Sequence, residues 1–222
     1  MHTISRTQSR NKFDKIDFKR SSFRDGKPYL SWKTEDNSRG KPSRIFIRQL
    51  NEDGISFPES APTTKILSAD RKMERLVVEG HWIIFRDPFY YLIYSGYGYK
   101  SPHYYSAVAR SSAVTGPYEK QKAGRNKVFL HTDYDLFNKR ENSTFVGPGH
   151  GSVVRVRNDW WFLYHAWLWG KVGKYPPAGP GRVMLLDKIE WDEETLWPHI
   201  GTPSVTPRPL PRISTGLFSL NW

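Results

Sequence analysis

Three ionisable side chains occupy the same place in three similar segments of the chain. The segments DGKPYLSWK, PFYYLIYSG and DWWFLYHAW are rich in aromatic residues and accompany turn signals. They align on the leucines Leu30, Leu92 and Leu163. Asp17, Glu79 and His150 then lie thirteen residues before the aligned leucine of their own copy. Two carboxyl groups brought together can act as a protonated acid and an ionised base, so the pattern indicates a candidate site for acid–base chemistry.

The local contexts of Glu79 and His150 favour a site at this position. Glu79 interrupts the apolar run RLVVEGHWIIF, and a carboxylate there must be paired, protonated or in contact with a wet cavity. His150 lies in GPGHGS, where the flanking glycines allow a backbone or a ligand to approach closely. The alternative is that the segments align by chance and that these residues are ordinary polar residues at strand ends.

A repeated sheet would bring the three side chains together. An apolar stretch precedes each turn, and a further strand-like segment follows each aromatic strand, as RIFIRQL, YYSAVAR and RVMLLDKIEW. Each copy therefore predicts a small antiparallel sheet of roughly four strands in a unit of about 60–70 residues, and no amphipathic helix is indicated. Such sheets are typical of an all-β propeller, in which the innermost strand of every blade begins near a shared axis.

The composition excludes several other classes of protein. The 222 residues include 15% aromatic residues and no cysteine, so disulfides and thiolate metal sites are excluded. No apolar run is long enough for a transmembrane helix, and the N-terminus shows no signal peptide. Of the net charge of +12, residues 1–48 carry +8 and the rest of the chain only +4. This distribution argues against a nucleic-acid partner, and we expect no membrane partner.

The same segments resemble glycoside hydrolase family 43. KIDFKRSSFRDGKPYLSWK is similar to the family's second-blade motif, and VVEGHWIIFRDPFYYLIYSG to its third-blade motif around a catalytic Glu-Gly. GPGHGSVVRVRNDWWFLYHAW is similar to the fourth-blade motif, and ARSSAVTGPYEK and GRVMLLDKIEW extend the resemblance over roughly residues 13–212. The resemblance implies a five-bladed β-propeller that acts on arabinose- and xylose-containing polysaccharides.

The resemblance also implies a role for each candidate residue. Glu79 would be the general acid that protonates the glycosidic oxygen, and Asp17 would orient Glu79 and adjust its proton affinity. His150 would lie on the propeller axis near a central metal or water site, where it would help to bind the substrate and touch a metal through water. Arg182, in GRVMLL, would bind sugar hydroxyl groups. No cofactor would be required, and a structural Ca²⁺ on the axis would be compatible with the family.

Each assignment has a structural alternative. Asp17 could cap a strand or lie on the surface, and Glu79 could be a structural carboxylate paired with an arginine. His150 could be a satisfied core histidine, and Arg182 could be a surface arginine at a turn.

The chain departs from the family pattern at its N-terminal end. The family's first blade carries an aspartate that acts as general base, in an Ala-Asp-Pro context, and this sequence begins essentially at the second blade. The resemblance therefore predicts a fragment, a natural truncation or a non-catalytic relative. We expect little or no turnover by this chain alone, because inversion needs a base. We also expect an exposed blade face, which favours association.

The domain organisation follows from the repeat and the departure. We expect a disordered tail over residues 1–12 and an incomplete propeller over residues 13–222. Its blades are predicted at residues 13–70, 71–130 and 144–197. Residues 131–143 are predicted to form a loop, and a Pro-rich end follows the last blade.

Three functions are compatible with the sequence. The leading prediction is hydrolysis, with inversion, of glycosidic bonds in hemicellulose or pectin side chains, as by an α-L-arabinofuranosidase, a β-xylosidase or an endo-arabinanase. The full-length protein would then be secreted. The alternative is a non-catalytic carbohydrate-binding propeller. A third reading, a basic propeller that binds protein or nucleic acid, predicts strong dependence on salt.

Overall fold

A computed structural model describes residues 18–23, 25–122, 128–139, 145–168 and 181–206, and about half of these residues lie in strands. The strands are β1 (Phe18–Ser22), β2 (Pro28–Lys33), β3 (Arg44–Gln49), β4 (Thr64–Ser68), β5 (Val78–Arg86), β6 (Phe89–Gly96), β7 (Tyr105–Ser111), β8 (Glu119–Lys120), β9 (Phe145–Val156), β10 (Asp159–Leu168), β11 (Arg182–Trp191) and β12 (Pro198–His199). The helix α1 (Tyr134–Lys139) and the 3₁₀ turns Asp36–Arg39 and Lys72–Glu74 are short. No helix in these ranges is long and apolar enough to cross a membrane.

The strands form three four-stranded antiparallel sheets, each of which follows the chain in order. We call them the first sheet (β1 to β4), the second sheet (β5 to β8) and the third sheet (β9 to β12). The turn at Asp25 and Gly26 joins β1 to β2, and Gly26 adopts the left-handed conformation (φ 71°) that this turn requires. The predicted sheets and their number of strands therefore agree with the structure.

The second sheet is packed between the other two. Nearly every residue of β6 is buried, because Leu92 and Tyr94 face the first sheet while Tyr91 and Ile93 face the third sheet. A strand that is buried on both faces appears in the sequence as a continuous apolar run, without the alternation of apolar and polar residues. The two apolar layers hold the three sheets together face to face, as in the blades of a propeller.

Polar contacts fix the start of β5, where Glu79 lies. The Ser43 hydroxyl, at the end of the first sheet's β2–β3 connection, lies 2.7 Å from the amide nitrogen and 3.1 Å from the carbonyl oxygen of Val78. His81 contacts the Ser31 hydroxyl on β2 at 2.8 Å. Hydrogen bonds to Val78 and His81, which flank Glu79 and Gly80, therefore fix the position of β5 relative to the first sheet.

One local prediction was wrong. Residues 131–143 were predicted to form a loop, but Tyr134–Lys139 forms the helix α1. Asp133 begins this turn because its carboxylate accepts the amide hydrogens of Asp135 and Leu136. A helix of six residues is too short to leave a periodic apolar pattern in the sequence.

Candidate active site

Glu79 lies at a bulge near the beginning of β5. The pairing of β5 with β6 is regular from Trp82 onward but shifts between Glu79 and Trp82. Gly80 takes a left-handed conformation (φ 54°), which a residue with a side chain adopts only with strain. Bulges next to functional sites redirect a side chain. Here the bulge separates Glu79 from the regular alternation of the strand.

Two side chains from other elements hold the Glu79 carboxylate. The Tyr104 hydroxyl donates a hydrogen bond to Oε1 at 2.9 Å. The Lys33 ammonium group, at the end of β2, lies 3.4 Å from Oε2. Glu79 retains 16% exposure of its side chain, whereas Lys33 retains 2%. Glu79 is therefore fixed at both oxygens but still accessible to a ligand.

Lys33 has a second and closer carboxylate partner. Its Nζ lies 2.5 Å from Oε1 of Glu35, a residue that follows β2. A buried ammonium group is unfavourable unless opposite charges surround it, and Lys33 is placed between two carboxylates. The three residues Lys33, Glu35 and Glu79 form a charged triad at the edge of the first sheet.

His150 lies against the backbone next to Glu79. A Cβ atom added to Gly80 would lie only 2.8 Å from Cγ of His150, so only glycine allows this approach. The amide of His150 donates to the Ser95 hydroxyl on β6 at 2.8 Å, and His150 itself has a left-handed conformation (φ 53°). The first strands of the second and third sheets therefore meet at Glu79–Gly80 and His150.

A stack of rings connects Glu79 to Arg182. The ring of Tyr104, which binds Glu79, stacks on His165 with centroids 6.0 Å apart and planes 3° apart. His150 stacks on the same histidine at 6.1 Å. Arg182 Nη1 lies 2.8 Å from Nε2 of His165. A guanidinium group can only donate, so Nε2 is the unprotonated nitrogen and His165 is neutral.

The electrostatics of His165 agree with this assignment. Burial, which is the largest cause, and the nearby charges of Arg182 and His150 together lower the pKa of His165 to about 3. Nδ1 of His165 is buried and has no hydrogen-bond partner in the part of the chain that the structure describes. His165 is therefore a neutral acceptor that positions the Arg182 guanidinium.

His165 should make the stability of the fold depend on acidity. Its pKa is about 3 when folded and 6.5 ordinarily, so the unfolded chain binds the additional proton between these pH values. The free energy of unfolding should therefore fall as the pH falls from 6.5 towards 3, by at most about 1.4 kcal/mol per pH unit from this residue. His165→Gln should flatten this dependence in denaturant titrations from pH 7 to pH 4. The exposed control His199→Gln should keep the wild-type slope, and equal slopes in both variants would contradict the assignment.

A cavity of about 320 Å³ opens beside the ring stack. Its lining comes from the third sheet and includes His150, Ser152, Leu163, His165, Arg182 and Met184. Arg182 also lies over the Tyr99 ring, 5.0 Å from the centroid, and the Trp167 indole donates to the Tyr99 carbonyl. Glu79 does not line the cavity. It is connected to the cavity through Tyr104, whose ring stacks on the lining residue His165. A cavity with a guanidinium group and aromatic rings at its edge is suited to a polar ligand with apolar faces.

Comparison with known proteins identifies the family. The sequence profile of the glycosyl hydrolases of family 43 matches residues 3–197. The chain belongs to glycosyl hydrolase family 43. No curated protein sequence matches the chain.

Solved structures share the fold of this family 43 protein. A thermostable family-43 glycoside hydrolase has a TM-score of 0.73 at 20% identity, covering 90% of this chain and 62% of its own. The α-L-arabinofuranosidase from Lactobacillus brevis gives 0.66 at 17% identity, with 85% and 56% covered. The xylan β-1,4-xylosidase from Bacillus halodurans C-125 gives 0.66 at 21% identity, with 86% and 34% covered.

These similarities confirm the all-β propeller that the sequence predicts, because the structural neighbours of this family 43 protein are β-propellers. The chain spans less than two thirds of the length of each of the three solved structures.

The structure brings together three of the four residues predicted for the site. Glu79, His150 and Arg182 are connected through Tyr104, Gly80 and His165. Asp17 lies outside the described residues. Three further side chains that contact Glu79 or Arg182 were not predicted from the sequence: Lys33, Tyr104 and His165.

For Lys33, a signal was present in the family 43 repeat. It occupies the third position after the aligned leucine, where the other copies have Ser95 and Ala166. All three of these residues are buried. The small residues in the other two copies hint at a buried position, where a lysine requires a charged partner, but the burial itself is seen only in the structure.

A metal site at His150 is not evident among the residues that the structure describes. In the described ranges, no group of three or more His, Asp or Glu side chains is arranged to hold a metal ion. The water-mediated metal contact of His150 stays a prediction of the family resemblance, and we assign no step to a metal.

Proposed function

We propose that this family 43 protein hydrolyses α-L-arabinofuranosyl or β-xylosyl bonds in hemicellulose or pectin side chains, with inversion at the anomeric carbon. One arrangement carries this proposal. The Glu79 carboxyl group is held by Tyr104, and the Tyr104 ring stacks on the histidine that positions Arg182 at the cavity. A potential proton donor and a hydroxyl-binding cation thus belong to one connected unit. Because such polysaccharides lie outside cells, the full-length protein would be secreted.

Glu79 is the proposed general acid. As the bond between the anomeric carbon and the glycosidic oxygen breaks, its proton passes to the departing oxygen, which leaves as an alcohol. The Tyr104 hydrogen bond fixes the orientation of the carboxyl group, so the proton can be delivered along one direction.

Arg182 is the proposed sugar-binding residue. His165 and Tyr99 fix one end and one face of its guanidinium group. The remaining N–H groups can donate to adjacent hydroxyl groups of a sugar, and nearby aromatic rings can cover its apolar face. The substrate is expected to bind in the cavity with its glycosidic oxygen directed towards Glu79.

The base of the inverting reaction is expected, from the family resemblance, in a blade that precedes the second-blade motif. Of the carboxylates described, Glu35 is the one that shares a partner with Glu79, and it is paired with Lys33. We therefore expect this chain to bind sugars but to hydrolyse them slowly in water. An external nucleophile such as azide can attack the anomeric carbon without a base, so azide should increase the rate.

Binding and reaction can be tested separately on the full chain. Calorimetry with arabino- and xylo-oligosaccharides measures binding, and Arg182→Ala should weaken the affinity about tenfold, because a hydrogen bond to a charged donor contributes about 1.5 kcal/mol or more. The control Arg39→Ala removes an exposed arginine from the 3₁₀ turn between β2 and β3 and should leave the affinity unchanged. Equal affinities of wild type and Arg182→Ala would contradict the proposed binding site.

The reaction is followed with aryl α-L-arabinofuranosides and aryl β-xylosides, with and without azide. The expected product with azide is a glycosyl azide of inverted configuration, identified by NMR, together with the free phenol. Absence of any azide-dependent release of phenol would overturn the proposed hydrolysis, whether or not sugars bind.

A second candidate function is supported by the ion pair between Lys33 and Glu79. A nearby cation favours the charged form of a carboxylate, whereas a general acid must hold a proton. This arrangement is compatible with a carbohydrate-binding propeller that lacks catalysis. Sugar binding that depends on Arg182, with no phenol release even in azide, would support this function.

A further inference from the structure

The charged triad places a cation beside the proposed proton donor. We propose that Glu35 and Lys33 together set the protonation of Glu79, with Lys33 as a positioning residue and Glu35 as the counter-charge that allows Glu79 to hold its proton. This inference rests on the general-acid role proposed for Glu79. It goes beyond that role, because it names two residues that determine when the acid is protonated.

The geometry shows which carboxylate is the principal partner of the lysine. Lys33 Nζ lies 2.5 Å from Glu35 but 3.4 Å from Glu79. The shorter distance is a charge-assisted hydrogen bond, whereas the longer one is an ion-pair contact. Most of the compensation of the buried ammonium charge therefore comes from Glu35.

This asymmetry matters for the chemistry. A lone lysine next to Glu79 would stabilise the carboxylate ion and oppose its use as an acid. The negative charge of Glu35 acts on Glu79 in the opposite direction. Because the two carboxylates share the Lys33 ammonium group, removing the charge of Lys33 or that of Glu35 changes the field on Glu79, and the two removals act with opposite signs.

Other groups around Glu79 do not account for such opposite effects. Tyr104, which precedes β7, donates to Glu79 Oε1, and His150 on β9 packs against Gly80. His165 on β10 is neutral and separated from Glu79 by the Tyr104 ring. These groups, and Asp17 outside the described residues, are unchanged in variants of Lys33 and Glu35, so a comparison of the two variants isolates the triad.

The two variants should move the titration of Glu79 in opposite directions. Lys33→Met leaves Glu35 and Glu79 without the cation between them, so Glu79 should release its proton at a pH about one unit higher. Glu35→Gln leaves Glu79 as the remaining carboxylate partner of the lysine, so the proton should leave about one unit lower. Lys33→Arg keeps the charge and should restore a midpoint close to that of the wild type.

The titration is measured by NMR on the full chain with ¹³C-labelled glutamate side chains, and Glu79→Gln identifies the Glu79 signal. Control variants are Glu52→Gln and Lys27→Met, exposed positions in the connections between strands of the first sheet, and neither should shift the midpoint. If Lys33→Met does not fold, the downward shift of Glu35→Gln alone remains decisive, because Glu35 is partly exposed. Shifts of the same sign, or no shift in Glu35→Gln, would overturn the proposal.

The measurement distinguishes failure of this inference from failure of the proposed function. The NMR titration needs neither substrate nor turnover, whereas the proposed function stands on sugar binding and phenol release. Where azide-dependent turnover is measurable, its decline at alkaline pH should shift with the same sign as the titration in each variant. A rate profile that does not move while the titration does would show that Glu79 is not the acid.

Discussion

Glu79→Gln should reduce azide-dependent cleavage of glycosides with poor leaving groups by about 10²–10⁴-fold, the usual contribution of a positioned general acid. Glutamine keeps the size of the side chain and can still accept the Tyr104 hydrogen bond, but it cannot supply the proton. The departing oxygen of a phenyl glycoside must then leave as an anion. The rate of phenol release with a phenyl leaving group is the direct measurement.

The leaving group provides an internal control for this variant. A 2,4-dinitrophenolate leaves without protonation, so Glu79→Gln should cleave the dinitrophenyl glycoside at a rate close to that of the wild type. Sugar affinity should also be retained, because Arg182 is unchanged. Equal losses on both substrates would indicate a damaged fold or binding site and would contradict the general-acid role. The exposed control Glu194→Gln should leave the cleavage rates of both the phenyl and the dinitrophenyl glycoside unchanged.

The sheets were predictable because turn signals and apolar segments alternate along the chain. The turn at Asp25 and Gly26 forms the hairpin that its sequence indicates, and the same holds for the connections after Arg86 and Arg157. Glu79 and His150 were predicted to lie close together because equivalent positions of repeated sheets occupy equivalent places around the packing axis. Their approach at Gly80 agrees with that reasoning.

The remaining contributors could not be predicted in the same way. Tyr104 comes from the β6–β7 connection, which lies outside the aligned part of the repeat, so no offset identifies it. His165 depends on Arg182, which is far along the chain on β11, and such a pair is visible only when the strands are paired. Lys33 looks like a surface residue at a strand end until its burial shows that it must be neutralised.

A second buried ion pair anchors the segment that carries Glu79. Lys120 on β8 lies 2.8 Å from both oxygens of Glu74, whose side chain is fully buried. Glu74 also accepts hydrogen bonds from the Tyr94 hydroxyl and from the amides of Asp70 and Arg71. The carbonyl of Glu74 accepts the amides of Val77 and Tyr97.

This cluster therefore connects the last strand of the second sheet to the 3₁₀ turn immediately before β5. Through the Tyr97 amide, it also fixes the start of the segment that leads to Tyr104. Loss of the cluster should thus disturb both Glu79 and the residue that orients it.

Lys120→Met should lower the free energy of unfolding by about 3–5 kcal/mol, because it leaves the Glu74 carboxylate buried without its cation. Methionine fills nearly the same volume, so the loss reports the charge and not a cavity. The double variant Glu74→Gln with Lys120→Met should recover much of this loss, since glutamine is uncharged. Its carbonyl oxygen can take the place of Oε2 and accept the Asp70 and Arg71 amides, while its NH2 group donates to the Tyr94 hydroxyl oxygen. Denaturant titration of the two variants and of the exposed control Lys122→Met measures the effect. A Lys120→Met variant as stable as the control, or a double variant less stable than the sum of its single changes, would show that this pair does not anchor β5.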